Sequence, residues 1–304
     1  MNAGVNSHML PVIDLSMAII GHERQRTFLG KISLGELPHH AFLFFGPEGV
    51  GKRLVALEFA ASLLGFPGED PSQKQDFLSF APEAKKEGGK RSISVETVRE
   101  TGKFLSRFPA EAHRRVILID DADRMTEEAQ NALLKLLEEP NSSSILILIA
   151  SRTGLLRDTV VSRTFRVPFA SVSEEAMRSG FGSSVAEPFF FSLGRPGIVA
   201  GAIANPDAFS GRRDLLRSLF RLSALSVSER LALSEKLSTS PTETAEVLEW
   251  WASGLRNMQK RGDSAKSVVR RYRFLEDIEK TTRSLRDTNA NARLSLDRLF
   301  LVSI

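Results

Sequence analysis

The 304-residue sequence predicts an α/β chain in which a P-loop parallel-sheet domain is followed by an all-helical remainder. Three observations predict it. Short apolar runs at 41–45, 116–119 and 145–150 alternate with segments of helical periodicity, the pattern of βαβ units and a parallel sheet. A glycine-rich string, Gly46 to Arg53, joins the first run to the first helical segment. After Pro168 the strand signal stops, and the chain reads as helical to its end.

Each element follows from local pattern. Residues 41–45 (Ala-Phe-Leu-Phe-Phe) form an apolar run ending at Gly46, read as a buried strand. Residues 54–64 repeat apolar side chains at helical spacing (Leu54, Leu57, Ala61, Leu64), with Gly65 as the stop. Residues 66–91, rich in Pro, Gly and Lys, read as a long excursion. Ser94 is placed to cap a helix running through Phe108, with Val95, Val98 and Leu105 on one face. A second buried strand at 116–119 ends in Asp120 and Asp121. Thr126 caps the next helix, whose Ala129, Ala132, Leu133, Leu136 and Leu137 share a face, and Pro140 ends it. Residues 145–150 are the third strand. Residues 172–206 read as short helices interrupted by Gly194-Arg-Pro-Gly197, and the helical remainder breaks near Ser226, Pro241, Gly262 and Asp287. Boundaries therefore fall near 171 and 207, giving segments 1–171, 172–206 and 207–304.

Composition narrows the function classes. Hydrophobic residues make up 42% and charged residues 26%, ordinary for a soluble globular chain. A net charge of +4 is compatible with touching nucleic acid but far short of a basic DNA-binding stripe. The basic clusters at Lys85-Lys86, Lys90-Arg91, Arg212-Arg213 and 270–273 read as solvated faces. The longest aliphatic run, 145–150, is too short for a membrane span of about 20 apolar residues. Asp14, with no basic stretch before the early apolar residues, argues against a signal peptide, so a cytoplasmic location is expected. The absence of cysteine excludes disulfides and thiolate zinc.

The chemistry-bearing residues begin with Gly46-Pro-Glu-Gly-Val-Gly-Lys-Arg53, a G-x-x-x-x-G-K match between a strand and a helix. Gly46, Gly49 and Gly51 let backbone N–H groups turn inward around phosphates, and Lys52 reaches the β- and γ-phosphates. The eighth position calls for a Ser or Thr hydroxyl on Mg²⁺. Arg53 cannot supply one, because a guanidinium is a permanent cation that only donates. ATP with Mg²⁺ is thus the one cofactor the motif suggests, and Arg53 argues against its productive binding. Asp120 stands where a metal-holding acid belongs. Asp121 stands where a water-activating Glu is usual, one methylene too short, and a misplacement of about 1 Å can cost about 100-fold. The competing reading makes Asp121 or Asp123 a helix cap. Ser162 and Arg163 follow the third strand after a polar turn. An arginine there is ordinarily a solvated surface residue.

Together these stretches resemble the delta-prime family of clamp-loader subunits of bacterial DNA polymerase III. The resemblance rests on Gly46 to Arg53, Ile93 to Arg99, Asn131 to Pro140 (Asn-Ala-Leu-Leu-Lys-Leu-Leu-Glu-Glu-Pro), Val161 to Phe165, and Asn291 to Leu301. It implies an AAA+ base to about residue 171, a small helical lid over 172–206 and an all-helical collar over 207–304 that oligomerises. It implies a stator that gives Arg163, as an arginine finger, to a neighbouring ATPase subunit. Thr164 replaces the family's cysteine beside Ser162-Arg163, and Ser151 aligns with the sensor 1 position. The implied partners are a gamma/tau-like ATPase subunit, a delta-like clamp-opening subunit, the sliding clamp, and primer-template DNA through the assembled complex. The four-cysteine zinc module of many relatives has no counterpart in residues 66–91, and by alignment Gly197 occupies the sensor 2 position, with Arg195 nearby. An active gamma/tau-like motor is the alternative within the family. It predicts Mg²⁺-dependent turnover by the isolated chain, against which Arg53 and Asp121 argue. A plain DNA-binding module and a nucleotide-binding scaffold of another pathway are the readings outside it.

Overall fold

Residues 19–35, 39–83, 91–182, 192–204, 214–215, 217–219, 221–257, 265–288 and 290–302 are described by the structure, a computed structural model. They divide into two compact units. One comprises the described residues up to 182 together with Gly194–Ile198; the other comprises Ser192, Leu193 and the described residues from Val199 onward. Residues 1–16, the lysines at 85, 86 and 90, Arg212, Arg213 and the break at Gly262 lie outside the described residues.

The first unit is built on five parallel strands, β1 (Ala41–Phe45), β2 (Phe77–Phe80), β3 (Arg115–Ile119), β4 (Ser144–Ala150) and β5 (Phe165–Pro168), in the order β2-β3-β4-β1-β5. Its helices are α1 (Glu23–Ser33), α2 (Lys52–Leu64), α3 (Val95–Leu105), α4 (Glu127–Glu138), α5 (Asp158–Val161) and α6 (Glu174–Phe181). Successive strand residues point to opposite faces, so each central strand serves two cores. Phe42, Phe44, Val116, Leu118, Ile145 and Ile147 pack with α1 and α2 on one side. Leu43, Ile117, Ile119, Leu146 and Leu148 pack with α3 and α4 on the other. Continuous apolar runs in β1, β3 and β4 are the signature of strands buried this way.

Two edge strands differ from the sequence reading. Residues 66–91, read as an excursion, contain β2, and the turn into Phe165 leads to β5. Both are four residues long and lie at the sheet edges. They carry polar breaks at Ser79 and Arg166, which hide the apolar signal. The helix expected to reach Phe108 ends at Leu105, where the chain turns back toward the buried Asp76 carboxylate. Helix α2 is also less amphipathic than its spacing suggests. Val55, Ala56, Phe59 and Ala60 are buried alongside Leu57 and Ala61, whereas Leu54 is only half-buried.

Helix starts follow their caps. Ser94 Oγ accepts from Thr97 N–H (3.4 Å) and Thr126 Oγ1 from Ala129 N–H (3.2 Å). Replacing Thr126 with alanine leaves that N–H without its acceptor and is expected to lower stability by about 1 kcal/mol in chemical denaturation.

Helix α7 (Pro196–Ala204) passes from the first unit into the second. The second unit contains α8 (Val227–Leu237), α9 (Pro241–Asn257), α10 (Ala265–Asp287) and α11 (Ala292–Val302). Trp251 and Phe300, both fully buried and stacked at 5.7 Å, centre its core with Leu248, Ile278 and Leu296. Ser226 starts α8 with a reciprocal capping box to Glu229. Pro241 opens α9, and Asp287 closes α10. No helix among the described residues is long and apolar enough to cross a membrane.

Candidate nucleotide site with an arginine at the metal position

Parallel strands deliver their C-terminal ends to one edge of a sheet, and α/β ligand sites form there. Phe45 and Ala150 are register partners, so Gly46 and Ser151 leave β1 and β4 side by side. Asp120 follows β3, the other neighbour of β4. The loop between β1 and α2 depends on glycine where its backbone reverses. Gly46 has φ 147°, and a Cβ there would lie 2.0 Å from the Phe169 carbonyl oxygen. Gly49 and Gly51 are also left-handed, at 78° and 107°.

The side chains brought together are Lys52, Arg53, Asp120, Asp121 and Ser151. Lys52 is buried and donates to the carbonyls of Gly46 (2.7 Å) and Pro47 (2.8 Å) and to Ser151 Oγ (3.2 Å). Burial pushes its ammonium down to about 8, against the opposing pull of Asp120, Asp121, Asp123 and Glu48. Arg53 Nη1 donates to Asp120 Oδ2 at 2.9 Å, and Asp120 Oδ1 accepts the Asp121 N–H at 3.0 Å. Asp121 takes the left-handed conformation (φ 46°), sparse for a non-glycine residue but tolerated by Asp. Its carboxyl is raised by burial and by Asp120 beside it.

Neither aspartate read as an alternative helix cap makes a side-chain cap bond of that kind. Asp121 precedes a short 3₁₀ turn without one. Asp123 is buried instead: its Oδ1 accepts the Ser151 N–H (3.2 Å), and its Oδ2 lies 3.5 Å from Arg152 Nε. Asp123 thus fixes Ser151, a role the cluster of three acids in four residues does not distinguish by sequence.

Two further contacts reach the loop through backbone carbonyls. The His22 ring nitrogen Nε2 lies 2.8 Å from Val50 O, with the ring edge on Phe169. Burial holds the His22 ring below its ordinary value. The Gly197 N–H donates to Gly49 O at 2.8 Å, and a Cβ at 197 would lie 3.0 Å from that oxygen. The lack of a side chain at Gly197 is what allows this backbone approach.

A divalent cation in a P-loop site bridges the eighth-position hydroxyl, the acid after β3 and the phosphates. The residues present do not fit one. Arg53 has no lone pair to offer, and its guanidinium already sits as a competing cation on Asp120 Oδ2.

Ser162 and Arg163 are not part of this cluster. Arg163 precedes β5, whose first residue Phe165 pairs with Phe42 near the start of β1, so it lies at the edge of the sheet opposite the P-loop. Its guanidinium donates to Thr159 O (3.1 Å) and pairs with Glu138 (3.0 Å), and both charged side chains are substantially exposed. Ser162 Oγ donates to Thr159 O (3.2 Å), and the buried Thr164 bonds back to Val161 O (2.9 Å). The polar turn before them is held by buried Gln130, whose Nε2 donates to Leu155 O (3.1 Å) while its Oε1 accepts the Arg157 N–H (2.8 Å). Glu138 and Gln130 both lie on α4, so this helix supports the Arg163 turn, a link that residue spacing does not reveal.

A five-stranded parallel sheet with a P-loop after β1, an acid after β3 and a polar residue after β4 defines a P-loop base of the AAA+ type, here with an arginine at the eighth position of its loop. The match of residues 22–173, half the chain, to the model described as "DNA polymerase III, delta subunit" shows that the chain belongs to that family. It is 34% identical over 138 residues to DNA polymerase III subunit delta' of Pseudomonas aeruginosa, covering 41% of each chain. It is 31% identical over 151 residues to the corresponding subunit of Bacillus subtilis, covering 45% of this chain and 44% of that one. The match therefore spans less than half the length of these relatives. A DNA polymerase III gamma subunit-related protein of Thermotoga maritima superposes with a TM-score of 0.46 at 21% identity, over 92% of this chain and 98% of that one.

Proposed function

We propose that this chain is a clamp-loader subunit of the DNA polymerase III holoenzyme in DNA replication, a stator that does not itself hydrolyse ATP. It gives Arg163 in trans to a neighbouring ATPase subunit while the sliding clamp is loaded on primed DNA. Its partners in this reading are a gamma/tau-like ATPase and a delta-like clamp-opening subunit, with clamp and primer-template DNA met through the assembled complex. The site of action is the cytoplasm. Residues 1–171 serve as base, 172–206 as lid and 207–304 as the collar that joins the hetero-oligomer.

The observation that carries the reading is the Arg53–Asp120 ion pair at the metal position. It removes the chain's own route to metal-assisted phosphoryl transfer while leaving the fold intact. Arg163 supports the second half: at the edge opposite its own P-loop, it is available to a neighbour's phosphates and remote from its own. Relatives named DNA polymerase III subunit delta' support the reading as a subunit of that polymerase.

The direct test is steady-state ATPase. The isolated chain is expected to turn over at background with Mg²⁺, whereas the assembled complex responds to clamp and primed DNA. Robust Mg²⁺-dependent turnover by the isolated chain would instead mark an active motor. Glu138→Gln serves as the control for Arg163. An exposed ion pair contributes about 0–1 kcal/mol, so this variant is expected to keep the complex's ATPase within about fivefold of the parent.

A further inference from the structure

The P-loop is tied by its own side chains at the point where the fold calls for a metal ion. Arg53, on the first turn of α2, reaches across to Asp120 at the end of β3. In a P-loop site a divalent cation and its phosphates join those same two elements. The remaining Asp120 oxygen is used by the Asp121 N–H. Lys52 closes onto Gly46 and Pro47 from within the loop, and Gly197 closes onto Gly49 from outside it.

We propose that Arg53 is a built-in substitute for the divalent cation, its ion pair with Asp120 holding the P-loop helix to the end of β3 in the absence of metal and nucleotide. The base is then indifferent to magnesium and nucleotide, whereas a site with a hydroxyl at position 53 and a free Asp120 responds to both. A single substitution separates the two conditions, because Arg53→Thr removes the guanidinium, frees Asp120 and supplies the missing oxygen. The side chains of the pair are about one-fifth exposed, so solvent weakens the tie without removing it.

This inference goes beyond the trans-acting role of Arg163 and does not rest on it. Failure of the Arg163 role is read in the ATPase of an assembly, and failure of the lock in the thermal stability of the isolated full chain. The experiment is thermal unfolding of the parent, Arg53→Thr and Arg53→Met proteins with EDTA, Mg-ADP or Mg-ATP. The parent is expected to keep its midpoint within about 1 °C in all three conditions. Arg53→Thr is expected to melt lower than the parent in EDTA and to regain about 5–10 °C with magnesium-nucleotide at about 100 times Kd. Adding Lys52→Ala abolishes that regain. Arg53→Met breaks the pair without supplying an oxygen, so it is expected to melt lower and stay unresponsive. A magnesium-dependent shift of several degrees in the parent overturns the proposal, as does an Arg53→Thr protein that ignores magnesium-nucleotide. Should Arg53→Thr not fold, an Arg53→Met protein as stable as the parent overturns it, and one melting lower beside an unresponsive parent supports it.

Discussion

Replacing Arg163 with alanine is expected to lower the ATPase of the assembled complex on clamp and primed DNA by about 10³-fold or more, with little effect on the subunit's own stability. An arginine finger is worth about 10³–10⁵ in turnover, because it neutralises charge that develops only in the transition state. Its local partners in this chain are the Thr159 carbonyl and the exposed Glu138 carboxylate. Losing an exposed pair of this kind removes at most about 1 kcal/mol from the fold. The two readouts therefore separate: a large fall in turnover at nearly unchanged melting temperature and assembly. Full turnover by an Arg163→Ala complex would sink the trans role, and lost assembly would make Arg163 an interface residue instead.

Asp76→Ala is expected to destabilise the protein by about 3–5 kcal/mol in denaturant unfolding, although Asp76 is remote from any proposed chemistry. Its carboxylate is buried and accepts the N–H groups of Ala110, Glu111 and Ala112 at 2.7–2.9 Å. Arg115 Nε lies 3.3 Å away; this guanidinium also donates to Phe104 O and Phe108 O and stacks on the Phe104 ring. Deleting the acid leaves a buried cation without its counter-charge and three N–H groups without acceptors. Burial opposes the Asp76 charge, but the N–H groups of Ala112, Glu111 and Ala110, with Arg115, outweigh it and hold the carboxyl below its usual range. A group whose folded pKa is depressed stabilises above its unfolded value, near 3.9, and loses that contribution as pH falls through the folded value. The gap between parent and Asp76→Ala should therefore be constant near neutrality and narrow below about pH 4. A gap unchanged at pH 3 would contradict the charge-based account.

The central sheet was legible because β1, β3 and β4 are buried on both faces and spell uninterrupted apolar runs. The edge strands were not: Ser79 interrupts β2, and β5 contains Arg166 and ends in Pro168, a residue tolerated at a sheet edge. The phosphate loop, Asp120 and Ser151 were legible for a related reason, since each directly follows a readable strand. What the sequence does not encode is which of them touch. Arg53 and Asp120 are 67 positions apart, and only the β1-β4-β3 register brings them together. His22 and Gly197 reach the loop through the carbonyls of Val50 and Gly49, so no complementary residue type advertises either contact. Arg163 stood out by its resemblance, whereas its support by Gln130 and Glu138 emerges only when α4 is folded beside the turn. That position 53 carries no oxygen ligand was legible; that its arginine pairs with Asp120 was not.

The central claim is that this chain works as one subunit of a mixed assembly. The most direct measurement is co-purification of the full chain with a gamma/tau-like ATPase and a delta-like subunit, followed by the mass of the isolated complex. A stable complex containing all three, with ATPase stimulated by clamp and primed DNA, is the predicted result. Failure of the folded chain to join any complex with those subunits would contradict it.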